Sequence, residues 1–155
     1  MLEEKKLHQA ILRGAQLMID NGLGDWTLKL QNKRSALADC DRTRKTIRYS
    51  KHFIRVATPD QFDGVTFHEI THALLPKGTH HGPEFVKKCI EISPNADYAK
   101  RSVNVNLWKF DITCPECGTK GGSNKKKLSL CRVCHENGKT SHFVYKEALP
   151  IVTVW

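Results

Sequence analysis

The spacing of apolar positions changes along the chain. Over residues 3–20, Leu7, Ala10, Ile11, Gly14, Leu17 and Met18 recur at helical intervals and predict an amphipathic helix. Asn21-Gly22 ends it, because both residues tolerate the left-handed turn that often closes a helix. Trp26, Leu28 and Leu30 then alternate with Thr27, Lys29 and Gln31, which is the period of a half-buried strand. A second alternation, from Arg42 to Tyr49, sets Ile47 and Tyr49 on one face and Arg42, Arg44 and Arg48 on the other. Residues 25–50 therefore predict a short hairpin or meander. Thr58-Pro59-Asp60-Gln61 opens a helix: Thr58 can cap, Pro59 suits the first helical position, and Gln61 stands where a capping box needs its side chain. That helix runs to about Leu75, since Pro76-Lys77-Gly78 cannot continue it. Gly64 inside it costs about 1 kcal/mol relative to Ala and implies close packing at that point. Another helix runs from Pro83 to about Ile92 and stops at Ser93-Pro94. Strand-like Val103–Thr113 leads into a segment built around paired cysteines. The pattern as a whole predicts the α+β class in two parts, 1–102 and 103–155.

Composition narrows the classes. At 155 residues and 39% hydrophobic, the chain can bury a core. No run approaches the roughly 18 apolar residues of a membrane span, and the N-terminus MLEEKKLHQA lacks a signal-peptide pattern. These features predict a cytoplasmic protein (nucleoid-associated or nuclear, according to its host) with reduced cysteines. Four of the six cysteines form two C-x-x-C pairs, which favours metal over disulfides. Lys and Arg total 25 against 16 acids, a net charge of +9, which attracts polyanions without sequence choice.

The first metal constellation is His68-Glu69-Ile70-Thr71-His72, an H-E-x-x-H inside the predicted Thr58–Leu75 helix. Residues four apart share a helical face, so both imidazoles can reach one ion at about 2.0–2.1 Å. Glu69 falls beside the metal, where it can hold a water without ligating. A catalytic zinc usually keeps three protein ligands and an open position. The third ligand can come from His80 or His81, just past the Pro76–Thr79 break, with Glu84 as a rival oxygen donor that the helix dipole also explains.

The second constellation is Cys114-Pro115-Glu116-Cys117 with Cys131-Arg132-Val133-Cys134. Two tight turns presenting two thiolates each close a tetrahedron and leave no open position, so this zinc is structural. Rival readings are a redox dithiol or ligation by His135 or His142. A module of roughly 50 residues has too little core to stand comfortably alone, so metal supplies much of its folding energy. Cys40 and Cys89 stay outside the scheme, with Cys89 on the apolar side of its helix.

The segment Phe67-His68-Glu69-Ile70-Thr71-His72-Ala73-Leu74, followed by His81-Gly82-Pro83-Glu84-Phe85, resembles the SprT family of zinc metalloproteases. That family includes Spartan, which degrades proteins crosslinked to DNA, and short bacterial members ending in a zinc ribbon. Trp26, the Ile47-Arg48-Tyr49-Ser50 strand end and the capped helix stand in the family's order. The resemblance implies a minimal zincin-like catalytic domain (N-terminal helix, small antiparallel-containing sheet, H-E-x-x-H helix) followed by a β-rich four-cysteine ribbon. It implies two zinc ions, the catalytic one on His68, His72 and His81, with Glu69 as general base. His81 is preferred to His80 because it directly precedes Gly82-Pro83. The activity implied is an endopeptidase acting on proteins bound or crosslinked to DNA. The loop between His72 and His81 is short compared with Spartan-like members. Zinc lowers the pKa of its water toward about 7 and polarises a peptide carbonyl, an extended substrate adds to the sheet edge, and Tyr49 or Tyr98 are candidate oxyanion donors.

Charge is uneven. Residues 29–55 hold nine Lys or Arg and two Asp, a net of +7, which makes Arg42, Arg44 and Arg48 a candidate phosphate track. Residues 104–155 carry eight basic and four acidic side chains, and four thiolates with one zinc reduce that +4 to about +2. Lys125-Lys126-Lys127 lie between the cysteine pairs, and Trp108, Phe110, Phe143 and Tyr145 flank them as candidate stacking partners or ribbon core. The expected partners are protein substrates and DNA, single-stranded or at junctions, bound non-specifically. The rival reading is a non-catalytic nucleic-acid-binding zinc-ribbon protein with a structural metal on the H-E-x-x-H helix. It explains Glu69 less well, because a structural site has no need of that residue.

Overall fold

The computed structural model describes residues 1–93, 105, 107–148 and 155. They belong to two units: Met1–Val105 with Ile151–Trp155, and Asn106–Pro150. The sequence pattern divides the chain at 102/103 and assigns the whole tail to the second part. In the structure the division comes three residues later and Trp155 groups with the first unit. The reason is local: the Trp155 ring packs 5.0 Å from that of Phe62, and its Nε1 donates to the Ala57 carbonyl at 2.8 Å.

In the first unit, α1 (Leu2–Asp20) buries Lys6, Ala10, Gly14 and Met18. Its end is closed by Gly22 at φ +79°, with Leu23 N–H donating to the Met18 carbonyl and Gly22 N–H to that of Ile19. Lys6 departs from the apolar pattern. Its ammonium donates to the carbonyls of Arg55 and Ala57, so a buried lysine closes the end of the short helix α2 (Lys51–Val56). At Gly14 the α1 backbone comes close to its neighbours: a Cβ there would stand 2.7 Å from Leu28 Cδ1 and 3.3 Å from Phe62 Cζ.

The sheet consists of β1 (Thr27–Gln31), β2 (Ala38–Asp41) and β3 (Thr46–Ser50) in the order β1-β3-β2. Only β2 and β3 form a hairpin; β1 lies parallel to β3, so the sheet is mixed rather than a meander. The strand periodicity was legible, but periodicity carries no information on which strand becomes central. Ile47 and Tyr49 are fully buried on β3 and make it the middle strand. The turn between β2 and β3 includes Lys45 at φ +47°. It takes Arg42 and Arg44 off the β3 face on which alternation had placed them. The helix α2 has no forecast in the pattern; Ser50, read as a strand end, also caps it by accepting from Phe53 N–H.

Next come α3 (Pro59–Leu74) and α4 (Pro83–Ile92). The predicted capping box is formed: Gln61 N–H donates to Thr58 Oγ1 at 3.2 Å and Thr58 N–H to Gln61 Oε1 at 2.9 Å. α3 packs on β2, α1 and α4, and Phe67, Phe85 and Cys89 form a core cluster bordered by Leu17, Leu75 and Ile92.

The second unit is a three-stranded antiparallel sheet, β5-β4-β6, of β4 (Phe110–Thr113), β5 (Lys120–Ser123) and β6 (Val144–Glu147), with a one-turn helix α5 (Arg132–Glu136). The strand expected over Val103–Thr113 is realised as β4 alone; residues 103, 104 and 106 lie outside the described residues. Among the described residues, no helix is long and apolar enough to cross a membrane.

Candidate metal centres

The cap at Thr58 starts α3 in the phase that puts His68, Glu69 and His72 along one face toward its end. Pro76 then stops the helix, and the turn through Gly78, at φ +91°, leads to His81 at the entrance of α4. The three imidazoles converge on their Nε2 atoms: His68 to His72 is 3.2 Å, and His81 lies 3.0 Å from each. Nitrogens held at about 2.05 Å from one tetrahedral ion stand about 3.3 Å apart, so the cluster fits a single zinc with one position left. His80 and Glu84 are not among the converging groups.

Phe85 forms the floor of this centre. It is fully buried, with its ring centroid 4.8, 4.6 and 4.8 Å from those of His68, His72 and His81. Nothing in residue chemistry marks a phenylalanine as part of a metal site. The available signal was its phase, one turn after the third histidine at the start of a helix. His72 is held down to about 4, first by burial and then by the neighbouring His68, His81 and Arg42, so its ring is neutral and free to ligate at pH 7.

Glu69, only 8% exposed, lies on the same helix face but outside the nitrogen cluster. Burial, with a further contribution from the Asp39 carboxylate, pushes its carboxyl up to about 8. A divalent cation on the adjacent histidines opposes that shift by direct attraction. Cys40 of β2 stands close enough to Glu69 to feel its charge, and burial pushes this thiol up to about 12. Tyr49 is fully buried with its hydroxyl hydrogen-bonded to Thr66 Oγ1 at 3.1 Å, which removes it as a donor to substrate; Tyr98 lies outside the described residues. An open groove of about 550 Å³ starts at His81 and runs along Gly82, Pro83, Val86, Lys87 and Ile90.

The four paired cysteines also converge. Their sulfurs lie within 4.8 Å of one another, with Cys114 to Cys134 and Cys117 to Cys131 both at 3.6 Å. Four sulfurs at about 2.3 Å from a tetrahedral zinc lie about 3.8 Å apart. Backbone bonds shape both turns: Gly118 N–H donates to the Cys114 carbonyl at 2.9 Å, and His135 N–H to that of Cys131 at 3.0 Å. The Cys114 thiol, hydrogen-bonded to Ser141 Oγ at 3.2 Å, is held down to about 6, which favours the thiolate a metal needs. His135 and His142 stay outside the group.

The arginine row does not form. Arg48 Nε donates to Asp39 Oδ1 at 2.6 Å, Arg44 pairs with Asp41, and Arg42 Nε donates to the His72 carbonyl. The cause is the turn: Arg42 follows the parity of β2 toward α3, whereas Arg48 points the other way from β3. Lys125, Lys126 and Lys127 are exposed on the ribbon, with Lys126 Nζ 5.2 Å above the Phe110 ring. The ribbon aromatics mostly pack internally: Phe143 lies against the cysteines, Phe110 meets Tyr145 edge-on, and Trp108 is seated on Gly122.

Compared with known proteins, this chain matched no family model, no curated protein and no solved structure.

Proposed function

We propose that the protein is a zinc-dependent endopeptidase of the SprT-like, zincin-like type, with a catalytic zinc on His68, His72 and His81 and a structural zinc on the four cysteines. The observation that carries the reading is the convergence of three Nε2 atoms at 3.0–3.2 Å beside a carboxylate that is not one of them. A purely structural site would complete its coordination with a fourth side chain. Zinc bound there supplies Lewis-acid polarisation of a water and of the scissile carbonyl.

The chain's own residues do the rest. Glu69 accepts the proton that the attacking water loses and delivers it to the departing amine nitrogen. Its burial keeps bulk water from competing for that proton, and Phe85 holds the three rings from below. The substrate lies along β2, an edge of the sheet. Ser50 N–H donates to the Leu37 carbonyl, so Asp39 and Asp41 face β3 in the narrow pairs of the ladder. The backbone groups of Ala38 and Cys40 are then turned to the open edge, where an extended peptide pairs without regard to its side chains.

DNA is the proposed second partner, and single-stranded or junction DNA is its preferred form. This rests on the net charge of +9 and on Lys125–Lys127 rather than on the paired arginines. The contact is electrostatic and salt-sensitive. The test is cleavage of an unfolded protein, and of a protein crosslinked to single-stranded DNA, by the zinc-loaded chain. Cleavage should vanish with a chelator, return with zinc, and run faster on the crosslinked substrate. A zinc-loaded chain that cleaves neither protein refutes the reading.

A further inference from the structure

The end of α3 is closed in an unusual way. With Leu75 as its C-cap, the residue three positions inside the helix is His72, a proposed zinc ligand. The carbonyl at that position normally accepts from the N–H of one of the two residues after the cap. The first of those residues is Pro76, which has no N–H. Leu75 N–H is engaged with the Thr71 carbonyl at 3.1 Å. The donor that reaches His72 instead is the Nε–H of Arg42, from a different element and 30 residues earlier in the chain. Arg42 stands one position past β2, on the side of that strand that faces α3, and it is half-buried. A fixed positive group at a helix C-terminus also complements the dipole there.

We propose that Arg42 is a positioning residue of the three-histidine centre, clamping the His72 carbonyl and so tying the ligand-bearing last turn of α3 to the β2–β3 hairpin. Without the clamp the last turn frays, and His72 loses the alignment that brings its Nε2 to 3.2 Å from His68 and 3.0 Å from His81. The arginine thereby serves the metal site rather than a phosphate track. The inference rests on the metal-binding half of the proposed function and does not require proteolysis.

The test uses the full chain with Arg42→Gln and Arg42→Lys. Zinc affinity of both sites is measured by competition with a chelating dye, and the histidine site is also followed through the visible spectrum of bound cobalt(II). Arg42→Gln should weaken the histidine site about tenfold, the range of losses seen when groups that orient metal ligands are removed, and change the cobalt spectrum. Arg42→Lys should restore most of both, because Nζ lies only one bond beyond the place of Nε. The four-cysteine site serves as the internal reference and should not move. Unchanged affinity and spectrum in Arg42→Gln would overturn the proposal. So would a loss shared equally with the cysteine site, which would mark general unfolding. So would an unaltered histidine site joined to weaker binding of a single-stranded oligonucleotide, which would return Arg42 to phosphate contact. Full zinc binding without any cleavage would refute the protease reading and leave this one standing.

Discussion

The two candidate metal centres use different means to reach the same tetrahedral geometry. In the second unit, four sulfurs come from two backbone turns, each closed by its own hydrogen bonds, with the Lys139–Glu116 pair and the cysteine cluster itself joining them. In the first unit, three nitrogens come from the last turns of one helix and the entrance of the next, over a floor already buried by Phe85. The second unit has little core beyond the cysteines, Phe143 and Leu107, so under the proposed reading its fold would depend on an ion held by the four sulfurs. The histidine centre sits on a packed unit containing Tyr49, Phe53, Phe62 and Ile70, so the fold itself brings its three rings together. Under the proposed reading, one metal would be a structural element and the other would be held in place by structure.

This contrast can be broken most sharply at Cys131. Cys131→Ser should lose the ribbon's ordered structure, with amide signals of Asn106–Pro150 collapsing while those of the first unit persist. A ribbon that stays folded would show that its core suffices. His68→Ala should do the opposite: zinc content falls from two ions to one, with no loss of secondary structure by circular dichroism. Chelator titration should empty the three-ligand site first and the four-sulfur site later. A single common step would contradict the division of roles.

Smaller changes probe the support of the histidine centre. Gly14→Ala pushes a Cβ against Leu28 and Phe62 and should cost about 1–2 kcal/mol in denaturant unfolding of the first unit alone. Thr58→Ala removes one half of the capping box and should cost about 1 kcal/mol, again without effect on the ribbon.

Much of the candidate site could be read in the sequence because its parts are local. The H-E-x-x-H spacing, the Thr58 cap and the two C-x-x-C turns each lie within one element, and their geometry follows from helix and turn periodicity. What could not be read depends on contacts between distant segments. Alternation located the strands but not the parallel pairing of β1 with β3, which depends on which strand the helices bury. It placed Arg42 on the wrong face because a turn, invisible to a period-two pattern, intervenes before Thr46. Lys6, which no periodic pattern marks, is buried on two carbonyls 49 and 51 positions away. Gly64, read as a point of close packing, is buried on α3, whereas the tight contact at Gly14 on α1 has no signal in the periodicity.

The most direct measurement compares wild type with Glu69→Gln at matched zinc content, counting new amino termini released from an unfolded protein substrate. Both proteins should carry two zinc ions per chain, and only the wild type should release termini. Equal release by the two would show that the buried carboxylate moves no proton in the reaction.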